Sequence, residues 1–164
     1  DFTSGIDSTY KEYIFKFINL HPSAANAYSL TFNGSIDTGS NYNVTKTTTV
    51  FRAYHDEGDT ATAVDYRTGS DIAQGTGFQT LGADGYLDDD ADSSFSGTLH
   101  LFNPSSTTFV KHFIATTNMV VAGPQSSNNF VAGYFNDTND IDAIQFKMST
   151  GNIDSGTISL YGIT

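Results

Sequence analysis

Apolar residues recur at every second position along much of this chain, which is the spacing of side chains on one face of a β-strand. The clearest example is segment 141–148, where Ile144, Phe146 and Met148 alternate with more polar neighbours. In segment 11–20 both alternating sets are bulky, which predicts a strand covered on two sides or lying inside a sheet. Glycine, proline and small polar residues separate such segments, and they predict turns.

The pattern predicts nine or ten strands and no credible helix. Closely spaced strands joined by polar turns are typical of an antiparallel sandwich. The fold class predicted is therefore all-β, an antiparallel, jelly-roll-like β-sandwich formed by a single domain over residues 1–164. The predicted strands are 11–20, 28–32, 45–54, 96–102, 109–114, 118–122, 130–135, 141–148 and 155–163, with short candidates at 63–66 and 78–81.

Two local features refine this prediction. Residues 103–106 (NPSS) carry turn chemistry, and they predict a hairpin between strands 96–102 and 109–114. Segments 96–102 (SGTLHLF) and 155–161 (SGTISLY) share the pattern Ser-Gly-Thr-apolar-polar-Leu-aromatic. Because this echo covers only seven positions, two equivalent strands of one sandwich explain it better than a duplicated function.

Composition narrows the classes of function. The chain has 7 Lys and Arg against 18 Asp and Glu, a net charge of −11, and it contains no cysteine. Nucleic acid and anionic membrane surfaces repel such a charge, and no apolar run is long enough to cross a bilayer. We therefore expect neither nucleic-acid binding nor membrane insertion. The absence of cysteine excludes disulfides and thiolate metal sites.

The most acidic segment raises the question of a metal ion. It holds five aspartates, namely Asp84, Asp88, Asp89, Asp90 and Asp92. Ca²⁺ takes six to eight oxygen ligands, so Asp88, Asp90 and Asp92 are candidate calcium ligands. The EF-hand pattern fails, because Ser93 and Leu99 stand where that loop requires Gly and Glu. A solvated acidic loop or a subunit contact is the alternative interpretation, and no other cofactor is predicted.

The residues for catalysis lack the usual framing. Glu12 and Glu57 lie far apart in the sequence, and no pair of carboxylates is set in opposed environments. No nucleophile elbow occurs, and the histidines show no metal spacing, although His100 and His112 lie on the two arms of the predicted hairpin. The sequence therefore predicts a protein that is not an enzyme. Several aromatic residues near turns could stack on a sugar ring. The candidates are Tyr10, Tyr28, Tyr42, Tyr54, Tyr66, Phe78, Tyr86 and Tyr134.

Three strings carry a likeness to a known class of proteins. They are 6–22 (IDSTYKEYIFKFINLHP), 96–104 (SGTLHLFNP) and 151–163 (GNIDSGTISLYGI). In these strings the chain resembles uncharacterised structural proteins of tailed phages, notably those of marine and cyanobacterial hosts. The resemblance implies a virion component of the tail-fibre, appendage or head-decoration kind, assembled in the host cytoplasm, with a β-sandwich fold and no catalysis. It carries over no binding-site motif.

These observations lead to two expectations of different classes. The first is a non-enzymatic virion structural protein on the particle surface, held by contacts with other virion proteins and with its own copies as a homo-oligomer. The alternative is a lectin-like, receptor-binding module for a host-surface glycan, using end loops and exposed tyrosines, with Ca²⁺ at Asp88, Asp90 and Asp92.

Overall fold

The computed structural model describes residues 1–25, 27, 29–83 and 86–164. Within these residues every regular element is a β-strand, and paired strands run antiparallel. The prediction of an all-β, antiparallel sandwich with nine or ten strands is confirmed. The strands are β1 (Glu12–Pro22), β2 (Leu30–Ser35), β3 (Lys46–Asp56), β4 (Thr62–Tyr66), β5 (Gln79–Thr80), β6 (Phe95–Phe102), β7 (Lys111–Val121), β8 (Gln125–Phe135), β9 (Ala143–Met148) and β10 (Ile153–Ile163).

Two sheets of unequal size make up the sandwich. The large sheet has seven strands in the order β10-β1-β6-β7-β8-β3-β4, and the small sheet has three in the order β5-β2-β9. β1 lies between β10 and β6, as its two bulky faces predicted for an interior strand. The jelly-roll connectivity stays a prediction, because this strand order does not establish it.

The core lies between the small sheet and one face of the large sheet. Phe32 of β2 contacts Phe113 of β7 edge to face, with ring centroids 5.0 Å apart. Phe146 of β9 packs in the same way on Phe15 and Phe17 of β1, at 5.0 and 5.2 Å. Such ring pairs stabilise a core beyond the area that they bury. The small sheet therefore covers one face of the large sheet and leaves the other face open.

Several predicted strand boundaries are wrong. The pattern predicted separate strands at 109–114 and 118–122, whereas β7 runs without interruption from Lys111 to Val121. The polar residue that broke the apolar pattern is Thr117, which is buried on the inner face. Its hydroxyl donates to the carbonyl oxygen of Leu81 at 2.6 Å, so it needs no solvent. Likewise, predicted strand 130–135 is only the second half of β8, which begins at Gln125.

The predicted hairpin is confirmed, and the two echoing segments lie in strands of the same sheet. β6 and β7 are neighbours in the large sheet and are joined through the predicted turn at 103–106. The echoing segments belong to β6 and β10, which pair with the two sides of β1, so that Lys16 lies between Thr98 and Ser159. Gly156 adopts φ +100°, and a Cβ there would overlap the carbonyl oxygen of Asn19. The echoing segments thus lie in two strands that flank β1, although the corresponding residues Thr98 and Thr157 pair with Lys16 and Ile18, two residues apart.

Two lysines are buried on the inner face, which the sequence pattern did not predict. Lys46 of β3 and Lys111 of β7 both pair with Phe135, on opposite sides of β8. The Nζ of Lys46 donates to the carbonyl oxygen of Gly77 at 2.6 Å. Burial lowers the pKa of Lys46 to about 8, because the charged form loses its hydration.

Lys111 anchors a different loop. Its Nζ donates to the carbonyl oxygens of Asp137, at 3.1 Å, and Asn139. Burial lowers the pKa of Lys111, although the negative charges of Asp137 and Asp140 act to raise it. Each buried lysine therefore fixes one loop to the end of the large sheet through backbone carbonyls, and its alkyl chain fills a place in the core.

Candidate functional site

The predicted acidic candidates lie around one small cavity. Asp88, Asp90 and Asp92 line a cavity of about 220 Å³ together with Glu57, while Asp84 lies outside the described residues. In the part of the chain that the structure describes, no three His, Asp or Glu side chains are placed to hold a metal ion. The calcium site at Asp88, Asp90 and Asp92 stays a prediction that gains no geometric support.

The two histidines of the hairpin take separate partners. Nδ1 of His100 lies 2.6 Å from Oε1 of Glu12 on the neighbouring strand β1. The ring of His112 lies 6.0 Å from that of Tyr134 on β8, measured between centroids. All four residues lie on the open face of the large sheet.

The open face of the large sheet, called the outer face below, consists of the side chains that point away from the small sheet. Directly opposite residues on neighbouring strands share a face. Their register places one row of side chains across six strands, and this central row is mainly apolar. The central row is Tyr161, Ile14, His100, Ile114, Ala132 and Thr49. Ile114 is 52% exposed and Tyr161 is 46% exposed, so the row faces solvent.

Aromatic rings stand beside the central row. Phe51 of β3 and Phe130 of β8 are opposite each other and stack with centroids 4.7 Å apart and planes 9° apart. Tyr66 of β4 follows directly across from Phe51, and Val64 on the same strand is 74% exposed. Neither another sheet nor a helix among the described residues covers these rings and branched side chains. The outer face therefore exposes more apolar surface than is usual for a sheet face in contact with water.

Charge is nearly absent from the outer face. Glu12 and Lys16 are the formally charged residues among the described side chains that point outward. This holds for strands β1, β3, β4, β6, β7 and β8 and for segment 157–163. Glu12 is bonded to His100, and Nζ of Lys16 lies 5.0 Å from the centre of the Tyr161 ring. The net charge of −11 therefore resides on other surfaces. Depletion of charge and enrichment in aromatic residues are typical of the centre of protein interfaces.

The outer face is also large enough to serve as an interface. Seven strands at a spacing of about 4.8 Å and four rows at about 6.8 Å make a surface of roughly 30 by 25 Å. This is on the order of 750 Å², close to the roughly 800 Å² that each partner buries in a standard protein–protein interface. The size and the composition of the face thus point to the same kind of use.

A shallow groove crosses the outer face near its β3 side. It has a volume of about 400 Å³ and runs over the small side chain of Ala132. Tyr134 lies on the same strand as Ala132, with His112 on one side of it and Thr47 on the other. The hydroxyl of Thr47 accepts hydrogen bonds from Gln74, and that of Thr49 lies 3.5 Å from the carbonyl oxygen of Ala132. A ring beside hydroxyl groups offers both stacking and hydrogen bonds to a small polar ligand.

The described aspartates with a shifted pKa are all shifted in one direction. Hydrogen bonds from neighbouring side chains lower the pKa of Asp7, Asp37 and Asp56. At Asp65 burial acts to raise the pKa, but the contact with Arg52 and a second arginine outweighs it. A general acid at neutral pH needs a raised pKa, whereas these lowered values suit carboxylates that close turns and bind arginine.

Compared with known protein families, with curated proteins and with solved structures, the chain shows no match. None of the described residues forms a helix long and apolar enough to span a bilayer. The likeness to tailed-phage structural proteins therefore stays a prediction.

The outer face was not predicted as a site. Of the aromatic residues that were candidates for stacking on a sugar, Tyr28 lies outside the described residues. Tyr66 and Tyr134 were candidates too, and both lie within strands on the outer face. A usable signal was present in segment 11–20, where Ile14 and Ile18 alternate with the core residues. A strand with apolar residues on both faces is either covered on both sides or part of an interface. Only the arrangement of the sheets in the structure distinguishes these two cases.

Proposed function

We propose that this protein is a non-enzymatic structural subunit that works by protein–protein contact, and that its assembly is the surface of a tailed-phage virion. The observation that carries the first part is the outer face, which is wide, aromatic and nearly free of charge in a strongly acidic chain. The likeness of strings 6–22, 96–104 and 151–163 to phage structural proteins supports the second part.

The partner that suits the outer face is a neighbouring virion protein with an apolar, weakly charged surface. Contact with an apolar surface removes exposed side chains such as Phe51 and Ile114 from water, which is favourable. Contact with charged groups gives no such stabilisation. A basic partner would instead meet the acidic surfaces elsewhere on the molecule. The uncharged face thus selects partners by shape and apolar area.

The chemistry of the described carboxylates supports a role without catalysis. Asp7, Asp37, Asp56 and Asp65 have lowered pKa values, whereas a general acid at neutral pH needs a raised one. The groove on the outer face is open and shallow, whereas enzymes exclude water around the reacting atoms. These features suit a surface that binds and does not transform its partner.

The proposal is tested on phage particles that encode this chain. Quantitative mass spectrometry of purified virions should find the protein at a fixed copy number per particle. Particles that carry Ile114→Glu should lose it, because the new charge would be desolvated at the centre of the contact. The matched control Thr107→Glu adds the same charge in an exposed loop and should leave the copy number unchanged. Absence of the wild-type protein from virions would contradict the proposal.

Carbohydrate binding is a second candidate, because one specific observation favours it. The groove over Ala132 presents the ring of Tyr134 beside the hydroxyls of Thr47 and Thr49. Sugar rings stack on aromatic faces and form hydrogen bonds with hydroxyls, so a receptor glycan of the host is the ligand that suits this groove.

A glycan array run with and without a chelator tests this candidate. Tyr134→Ala should abolish selective signals, whereas Tyr66→Ala, which removes an exposed ring outside the groove, should leave them unchanged. A signal lost on chelation would place calcium in the binding step and return attention to Asp88, Asp90 and Asp92. An array with no selective signal would exclude the carbohydrate candidate.

A further inference from the structure

The large sheet has two edge strands of very different character. β4 has five residues, contains Asp65 and is followed by Arg67, which are common protections of a sheet edge. β10 has eleven residues; its one charged residue is Asp154, near its start, and segment 157–163 (TISLYGI) contains no charged residue and no proline. A long edge strand with an uncharged stretch of this kind is a template for pairing with another strand.

The register shows which backbone groups of β10 are free. The amide of Asn103 donates to the carbonyl oxygen of Lys11, so odd-numbered residues of β1 direct their backbone groups toward β6. Even-numbered residues of β1 therefore bond to β10, where Ile14 pairs with Tyr161. The backbone groups of Ile158, Leu160 and Gly162 then point to the open edge, and no backbone hydrogen bond among the described residues reaches that edge.

We propose that β10 pairs antiparallel with β10 of a second copy of this chain, about a two-fold axis near Leu160. The free N–H and C=O groups of Ile158, Leu160 and Gly162 supply the ladder, and two seven-stranded sheets become one continuous sheet of fourteen strands. This pairing uses the edge of the large sheet and is independent of the contact proposed for the outer face.

A second copy suits this edge because the strand is complementary to itself. Pairing about Leu160 places Ser159 opposite Tyr161 of the second copy, and Thr157 opposite Ile163. No like charges meet, although each chain carries −11 and is repelled from its copy over most other surfaces. The absence of charge in segment 157–163 thus permits an approach that the acidic surfaces oppose.

The outer faces of the two copies would also become continuous. Tyr161 stands at the β10 end of the central row, so edge pairing brings the central rows of both copies to a common seam. The exposed Ile18, Tyr161 and Ile163 near this edge then have apolar neighbours. Edge pairing therefore doubles the area of the outer face without covering it.

Sedimentation velocity of the purified chain at micromolar concentration tests the pairing. The wild type should sediment as a dimer of the 17.7 kDa chain. Ser159→Glu combined with Tyr161→Glu should convert it to a monomer, because the pairing sets these glutamates opposite each other. Folding should survive, since Glu at position 159 lies beside Lys16. The matched control Thr62→Glu with Val64→Glu on β4 should remain dimeric.

Ile114→Glu separates edge pairing from packing of outer faces. Under edge pairing this variant stays dimeric, because Ile114 lies three strands away from β10 in the sheet order. A dimer that dissociates with Ile114→Glu would overturn the proposal and assign the contact to the outer face. A wild type that is monomeric would overturn it as well. Neither result depends on whether virions contain the protein, so this proposal and the proposed function fail separately.

Cysteine cross-linking reports the strand register directly, since the chain has no cysteine of its own. Under mild oxidation, Ser159→Cys mixed with Tyr161→Cys should form a disulfide between copies, because opposite residues of this kind bring their Cβ atoms close. Val64→Cys, on the other edge, should give no rapid cross-link. Cross-linking at Val64 as fast as at β10 would contradict the proposed edge.

Discussion

The two faces of the large sheet are made from alternate residues of the same strands, yet they differ in what surrounds them. Phe113 on the inner face is fully buried and contacts the rings of Phe32 and Phe135. Its neighbour Ile114 on the outer face is 52% exposed. Alternation therefore assigns residues to faces, and the second sheet decides which of the two faces becomes the core.

Polarity divides the two faces in an unexpected way. The inner face contains fully buried polar residues, among them Lys46, Lys111 and Asn129. Each has hydrogen-bond partners, which offset part of the hydration that burial removes. The outer face is the less charged of the two, although water would hydrate charged side chains there. A protein surface with fewer charges than the core-facing side suits contact with another protein.

Removing one ring from the inner face should have the largest effect. Phe113→Ala is expected to lower the free energy of unfolding by about 3–5 kcal/mol, the usual range for a buried phenylalanine. Ile114→Ala on the adjacent position should lower it by less than about 1 kcal/mol, because its side chain is half exposed. Urea unfolding followed by circular dichroism measures both. Similar losses for the two variants would contradict the assignment of the faces.

Much of the fold was predictable because it depends on local patterns. Alternation located most strands, and the turn chemistry of Asn103 and Pro104 located the β6–β7 hairpin. The interruption expected near Thr117 was wrong, since a polar residue in a strand is tolerated when a distant carbonyl accepts its proton. Contacts between residues far apart in the sequence, such as that of Thr117 with Leu81, leave no periodic signal.

The pH dependence of stability should show the buried lysine of the inner face. Burial lowers the pKa of Lys46 to about 8, so below that pH the folded state holds a charge that the unfolded state hydrates better. Between pH 8 and the ordinary lysine pKa, the unfolded state binds more protons, and stability rises with pH. The free energy of unfolding should therefore increase on the order of 2–3 kcal/mol relative to Lys46→Met across this window.

The control for this effect is an exposed lysine. Lys147 lies over the ring of Phe78 at 3.9 Å and is exposed to solvent. Because Lys147→Met keeps Lys46, the rise in the free energy of unfolding above pH 8 should persist in this variant. If the wild type and Lys46→Met respond equally to pH between 7 and about 10.5, Lys46 is hydrated in the folded protein.

The candidate site was less predictable than the fold. Sequence reasoning pointed to Asp88, Asp90 and Asp92, because aspartate clusters are visible in a linear sequence. The outer face consists of alternate residues from seven strands, and the sheet register brings these residues together. Phe51 and Phe130, for example, stand far apart in sequence and stack in the structure. Surfaces built across strands require the strand order before they can be recognised.

The smallest expected effect concerns this stacked pair on the outer face. In a double-mutant cycle with Phe51→Ala and Phe130→Ala, we expect a coupling energy of about 0.5–1 kcal/mol, at the lower end for aromatic pairs because Phe51 is 42% exposed. Chemical unfolding of the four proteins measures it. A coupling above about 2 kcal/mol would mean that the rings hold the fold together. A small coupling leaves most of their apolar area for contact with another protein, as the proposed function requires.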